Sequence, residues 1–185
     1  MGEQHKKHNR REHLNDFHLN IAGEYVYDGA LYACQSDDAK QLRSKRAVWG
    51  MAAILTVAVA AGGCIPAPGM QNCFYVLLPY LGEFLGAASV IWALAKLGMD
   101  WGTVREYNYK KSVAVLPVRT AVTAVFSGLG IVCELIFFFV NDHAGQTFFA
   151  LLYVLLKLIA LLSVLVLRAE IMQAEWDKLP KKNNF

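Results

Sequence analysis

Four apolar blocks, residues 47–65, 74–95, 118–140 and 147–167, constrain this chain more than any other feature. Each approaches or exceeds the roughly 20 residues with which an α-helix, rising about 1.5 Å per residue, crosses about 30 Å of hydrocarbon. Of the 185 residues, 56% are hydrophobic and 18% charged, whereas an ordinary soluble domain carries about 25% charged residues. The excess sits in the four blocks, which excludes a soluble fold. The reading is an all-α membrane protein with four transmembrane helices, divided into a basic tail (1–16), a β-hairpin with the start of helix one (17–46), the four-span bundle (47–167) and a C-terminal tail (168–185).

Lysine and arginine set the orientation. They total 18, and all but Lys157 lie before the first block, in 96–119, or after residue 167. The other two connections, 66–73 and 141–146, contain none. Orientation follows Lys/Arg in short flanking segments, so both termini and the middle connection are expected in the cytoplasm and the bundle in the plasma membrane. The run Lys40, Arg43, Lys45, Arg46 beside the first span suits anionic lipid headgroups, and a net charge of +3 gives no reason to invoke nucleic acid. Ala60-Ala-Gly-Gly-Cys64 resembles a lipoprotein cleavage site, but 46 residues precede the first span, so it reads as retained. Lys6 stands where a myristoylation pattern wants Ser or Thr, and no lipid anchor is expected.

The tail 1–16 is too polar to offset the entropy of ordering. Its His5, His8 and His13, with His18, match no closed metal site, and neither metal nor cofactor is expected. Asp28-Gly29, flanked by aromatic and β-branched residues, reads as a two-residue hairpin turn with Tyr25, Tyr27 and Tyr32 on its strands. Two strands alone are marginal in water, so this hairpin must rest on its own chain, the membrane or another protein. Ser36 before Asp37 and Asp38 resembles a helix start. Thr103 and Glu106 resemble a capping box opening a short helix through Val104, Tyr107 and Lys111; with Trp101, Tyr107 and Tyr109 among basic residues this elbow reads as an interfacial segment, and Pro117 suits the first turn of span three.

Two segments echo one another. GEYVY precedes the first pair of spans and REYNY the second. A 74-residue shift lays span two over span four, matching Phe74/Phe148, Leu77/Leu151, Leu78/Leu152, Leu81/Leu155, Ser89/Ser163 and Val90/Val164, and the charges Glu83/Lys157. Duplicated helical hairpins would form a parallel repeat; leucine matches between apolar helices also arise by chance.

The charges inside the spans are the most informative residues. A lysine or aspartate at mid-membrane costs about 2.5–3.5 kcal/mol on insertion scales, and a glutamate a similar amount. Glu83, Glu134 and Lys157 should therefore face protein or water. Counting from the outer ends, Glu83 and Lys157 lie about 15 Å deep and Glu134 about 9 Å. In span three, Thr120, Thr123, Ser127, Gly130 and Glu134 share one face; Gly82, Gly86 and Ser89 let another helix approach span two; Tyr153 sits one turn from Lys157. A cluster of Glu83, Glu134, Lys157, Tyr153 and Ser127 is expected. Two carboxylates against one ammonium leave a surplus charge, so one carboxyl should be protonated, hydrated or matched by a cation.

Cys64 and Cys73 flank an outer loop where a disulfide could persist, closing about ten residues for roughly 2–3 kcal/mol. Cys34 and Cys133 supply no second exchanging pair, which argues against a thiol redox enzyme. No phosphate-binding loop, zinc-protease motif or serine elbow occurs. An intramembrane enzyme would have only Glu83 and Glu134 as acids. The leading expectation is a non-enzymatic accessory or scaffold subunit that associates with a membrane-protein partner or with itself, through a surface containing Tyr25, Tyr27, Tyr32, Tyr107 and Tyr109. The alternative is a small oligomeric proton- or cation-coupled transporter or channel that uses the Glu/Lys cluster.

Overall fold

The computed structural model describes residues 17–19, 23–27, 29–35, 37–98, 102–141 and 147–179. It contains four helices long and apolar enough to cross a membrane, as the apolar blocks require. They are α1 (Asp38–Cys64), α3 (Phe74–Leu97), α5 (Leu116–Val140) and α6 (Thr147–Gln173). Two short helices join them: α2 (Pro68–Asn72) between α1 and α3, and α4 (Glu106–Lys111) ahead of α5. The long helices stand in a ring in chain order, each packed on its sequence neighbours, and α6 closes the ring on α1. Consequently α3 and α6 face each other across the diagonal.

Among the described residues lie five short strands: β1 (Phe17–Leu19), β2 (Tyr25–Tyr27), β3 (Leu31–Cys34), β4 (Thr103–Arg105) and β5 (Trp176–Lys178). The middle three-stranded sheet has the order β4-β3-β5, all antiparallel, with Tyr32 opposite both Val104 and Lys178. β3 leads into α1, β4 lies between α3 and α5, and β5 follows α6. One sheet therefore gathers three chain segments at one end of the bundle, the sheet end, while α2 lies at the far end.

Three local expectations need correction. The hairpin is formed by β1 and β2, with Phe17 opposite Tyr27. Its connection contains Gly23 at φ 77°, a left-handed conformation that glycine adopts without a Cβ penalty. Asp28-Gly29 does not turn β2 back onto β3, because β3 finds its partners in β4 and β5; Asp28 itself lies outside the described residues. Second, Thr103 belongs to β4, and α4 begins at Glu106 after Arg105, with no side-chain cap. The pairing of β4 with β3 claims the backbone that a capping box would have needed. Third, GEYVY contains strand β2, whereas most of REYNY is helix α4, so the two echoes are built differently. Ser36 and residues 1–16 also lie outside the described residues, and α1 starts after Asp37 without a side-chain cap. Pro117 does occupy the first turn of α5.

The core is graded along the bundle. Near the sheet end it is apolar, with Val48, Val90, Leu94, Leu116, Leu167 and Ile171 packed together. Leu55, Val59, Ala87, Ala160 and Val164 form the next layer. Toward the far end polar residues take over, and the helices close on small ones. A Cβ on Gly86 would stand 3.3 Å from the Thr123 backbone, so α3 and α5 can approach this closely only with glycine there. Gly98, at φ 71°, ends α3 and returns its amide to the Leu94 carbonyl at 3.1 Å, a left-handed helix stop that glycine favours.

Candidate functional site

The buried face of α5 reads Leu116, Thr120, Thr123, Ser127, Gly130, Glu134, Phe137. Its middle is the polar stripe anticipated from helical periodicity. Thr120 and Thr123 donate to carbonyls one turn back, at 2.9 and 2.8 Å, which satisfies each hydroxyl inside the helix. Ser127 instead reaches outward. Its hydroxyl donates to Oε1 of Glu83 on α3, and the Lys157 ammonium of α6 donates to Oε2 of the same carboxylate. Glu83 is 0% and Lys157 2% exposed, so the ion pair is enclosed by protein.

Lys157 reaches Glu83 across the bundle diagonal because nothing fills the space beside Gly130. A Cβ on that glycine would lie 3.6 Å from both Cε and Nζ of Lys157. Two rings flank the ammonium, Tyr80 at 4.7 Å and Tyr153 at 5.2 Å. A cation over an aromatic face gains electrostatic attraction that strengthens on desolvation. The Tyr80 hydroxyl also donates to the Val59 carbonyl at 3.4 Å, tying α3 to α1. The ammonium therefore has one carboxylate and two aromatic faces in place of water.

Glu134 does not join the ion pair. It is fully buried; no side chain hydrogen-bonds its carboxyl oxygens, and the Gly69 backbone of the α2 cap is the one donor that lies against them. It lies one helical turn beyond Gly130, toward the far end. Tyr153, one turn from Lys157 on the antiparallel α6, occupies the same layer; its hydroxyl is likewise buried and unpartnered. Over this layer sits α2, which packs on α3, α5 and α6. Ala67, Pro68 and Gly69 are buried. A Cβ on Gly69 would collide with the Glu134 carboxyl and stand 3.1 Å from the Phe137 ring, so glycine lets the cap close down this far without displacing either side chain. Of the five residues expected in one cluster, Glu83, Ser127 and Lys157 bond together, Tyr153 packs on them, and Glu134 stands apart beneath the cap.

The five tyrosines named for an interaction surface separate into two groups. Tyr32 stacks on Tyr109 at 4.1 Å with nearly parallel planes, and Tyr109 meets Trp176 at 6.0 Å, so these rings bind the sheet to the bundle. Tyr27 packs edge-on to Phe17, and the Arg105 guanidinium lies over both rings at 5.2 and 5.4 Å. Tyr25 is exposed, and Tyr107 is partly exposed with the Lys111 ammonium 2.6 Å from its hydroxyl. At the same end a cleft of about 610 Å³ opens between α1 and α6, lined by Lys40, Arg43, Ser44, Glu170 and Glu175 among others. The bridge considered between Cys64 and Cys73 is not formed, and both are free cysteines.

Sequence reasoning missed two arginines. Arg119 of α5 donates to the Ser89 carbonyl of α3 at 2.6 Å, and Arg168 of α6 donates to the Pro117 carbonyl. In the sequence both read only as orientation charges. No protein-family model, curated protein or solved structure matches the chain.

Proposed function

We propose that this chain is a non-enzymatic accessory or scaffold subunit of the plasma membrane, with both termini and the β3–β4–β5 sheet in the cytoplasm, and that it acts by holding a protein partner at that sheet. The observation that carries the reading is the sheet itself. Three segments far apart in sequence pair into one antiparallel unit, locked to the bundle by the Tyr32–Tyr109–Trp176 stack. A platform tied to three points of a membrane bundle presents a surface that does not reorient when the helices tilt. The buried polar stripe supports the same reading, because the Ser127–Glu83–Lys157 network joins three helices and faces neither lipid nor an open channel. Lys40, Arg43, Lys45 and Arg46, in the first turns of α1, would hold the platform against anionic headgroups.

The experiment is site-specific photocrosslinking in intact membranes, with the probe placed at Tyr25, Gln41 or Tyr107. Discrete adducts from these positions, retained after gentle detergent extraction, are expected. A chain that remains an uncrosslinked monomer from all three positions would end the scaffold reading.

A second reading has one specific observation in its favour: Glu134 is a buried carboxyl that no side chain satisfies. An oligomeric proton- or cation-coupled transporter would use Glu83, Glu134 and Lys157. It requires flux in liposomes that Glu83→Gln or Lys157→Met abolishes without unfolding the bundle. No flux from the parent protein removes it.

A further inference from the structure

We infer that Glu134 is a proton-binding site, held as a neutral carboxylic acid beneath the α2 cap. The inference goes beyond the scaffold reading and requires no transport. It starts from charge balance: Glu83 and Lys157 neutralise one another directly, so an ionised Glu134 would add an uncompensated negative charge to a closed interior. A desolvated, unpaired carboxylate is far more costly than the neutral acid.

The groups facing Glu134 can be named element by element. α6 contributes Lys157, already bonded to Glu83, and Tyr153. α3 contributes Tyr75 and the paired Glu83, and α5 itself contributes Cys133. α2 presents the Gly69 backbone amide, a single neutral donor to the carboxyl, and no titratable side chain, and beyond Arg46 α1 carries no charged residue. Lys157 is therefore the single cation in reach among the described residues, and its ammonium is committed elsewhere.

The same inventory argues for a proton over a metal ion. Hard cations such as Ca²⁺ take about six to eight oxygen ligands. Among the described residues the walls around Glu134 are Phe137, the Gly69 backbone and the phenol of Tyr153, too few oxygens for a coordination shell. The Lys157 ammonium nearby would repel a second cation. A proton needs no shell, and the acid it forms can donate to a neighbouring oxygen.

The test uses the full chain reconstituted in phosphatidylethanolamine/phosphatidylglycerol vesicles and dicyclohexylcarbodiimide, an apolar reagent that reacts with protonated carboxyls in dry surroundings. The acid's proton passes to a carbodiimide nitrogen as its oxygen bonds the central carbon, and the O-acylisourea rearranges to a stable N-acylurea that peptide mass spectrometry locates. The adduct is expected on Glu134 and not on Glu83. Its rate should fall about tenfold per pH unit once the acid ionises, and replacing choline chloride by sodium chloride should leave it unchanged. Glu134→Gln should lose the adduct, and Glu83→Gln, which frees the Lys157 ammonium to pair with Glu134, should slow it at neutral pH. No adduct on Glu134 at any pH, or a preferred adduct on Glu83, overturns the inference; so does protection by sodium, which would make the site one for a metal cation.

Discussion

Glu83 and Lys157 form an ion pair across the diagonal of the bundle, although their helices, α3 and α6, are not ring neighbours. The lysine stem bridges the gap beside Gly130, and Ser127 of the intervening α5 holds the second carboxylate oxygen. Three of the four long helices thus meet at one carboxylate. The two charges are also the pair that a 74-residue shift superposes, so a coincidence in the linear sequence corresponds to a contact in space.

Lys157→Met should be the most damaging single change in this network. It strands the Glu83 carboxylate, and breaking a buried pair from one side costs roughly 3–5 kcal/mol. Glu83→Gln should cost less, because a neutral amide can still accept from Ser127. The double variant Glu83→Leu/Lys157→Met should recover most of the loss, since a buried pair contributes little net stability against well-packed apolar groups. Thermal unfolding in mild detergent measures all three. A double variant less stable than Lys157→Met would show that the pair is not the coupled unit described.

Gly86→Val should separate α3 from α5. The first added carbon already meets the Thr123 backbone, and overpacking costs about 1–3 kcal/mol. Gly128→Ala makes a matched control on the same interface's other helix. Nothing lies within 4 Å of its added carbon, so it should be neutral or stabilise by up to about 1 kcal/mol through helix propensity. Comparing their unfolding midpoints in one detergent checks the contrast.

Tyr109→Ala should loosen the sheet while leaving the bundle in place. It removes the ring that stacks on Tyr32 and touches Trp176, and such pairs are worth about 0.5–1.5 kcal/mol beyond the area they bury. Amide exchange in β3 and β5 should quicken about tenfold, with α5 and α6 unchanged. Equal acceleration in the helices would mean that sheet and bundle unfold as one unit.

Arg105→Ala should release the β1–β2 hairpin specifically. The guanidinium covers Phe17 of β1 and Tyr27 of β2, so it ties both strands of the hairpin to β4. Loss of amide protection in β1 and β2, with β3–β4–β5 retained, is the expected pattern.

Cysteine accessibility reads the proposed orientation. Cys64 is exposed, at the end of α1 opposite the sheet, whereas Cys34 lies in β3. A membrane-impermeant maleimide should label Cys64 in intact cells and Cys34 only after permeabilisation. The reverse order would invert the proposed topology.

The residues alone determined the four long helices, their approximate limits and the inward face of α5. Chain length against bilayer thickness, and the cost of exposing polar groups to lipid, leave few other solutions. That face could be read because helical periodicity aligns Thr120, Thr123, Ser127, Gly130 and Glu134 whatever surrounds them. Pairing partners were a different matter. Asp28-Gly29 has turn chemistry, yet β3 binds β4 and β5, because strand pairing is decided by which backbones the helix ends bring together. Periodicity likewise places Glu134 and Glu83 on inward faces without saying which one Lys157 reaches. Tertiary structure decided that, through the space beside Gly130 and the descent of Gly69 onto Glu134: a contact across a bundle depends on distances between helices, and a linear pattern carries no distances.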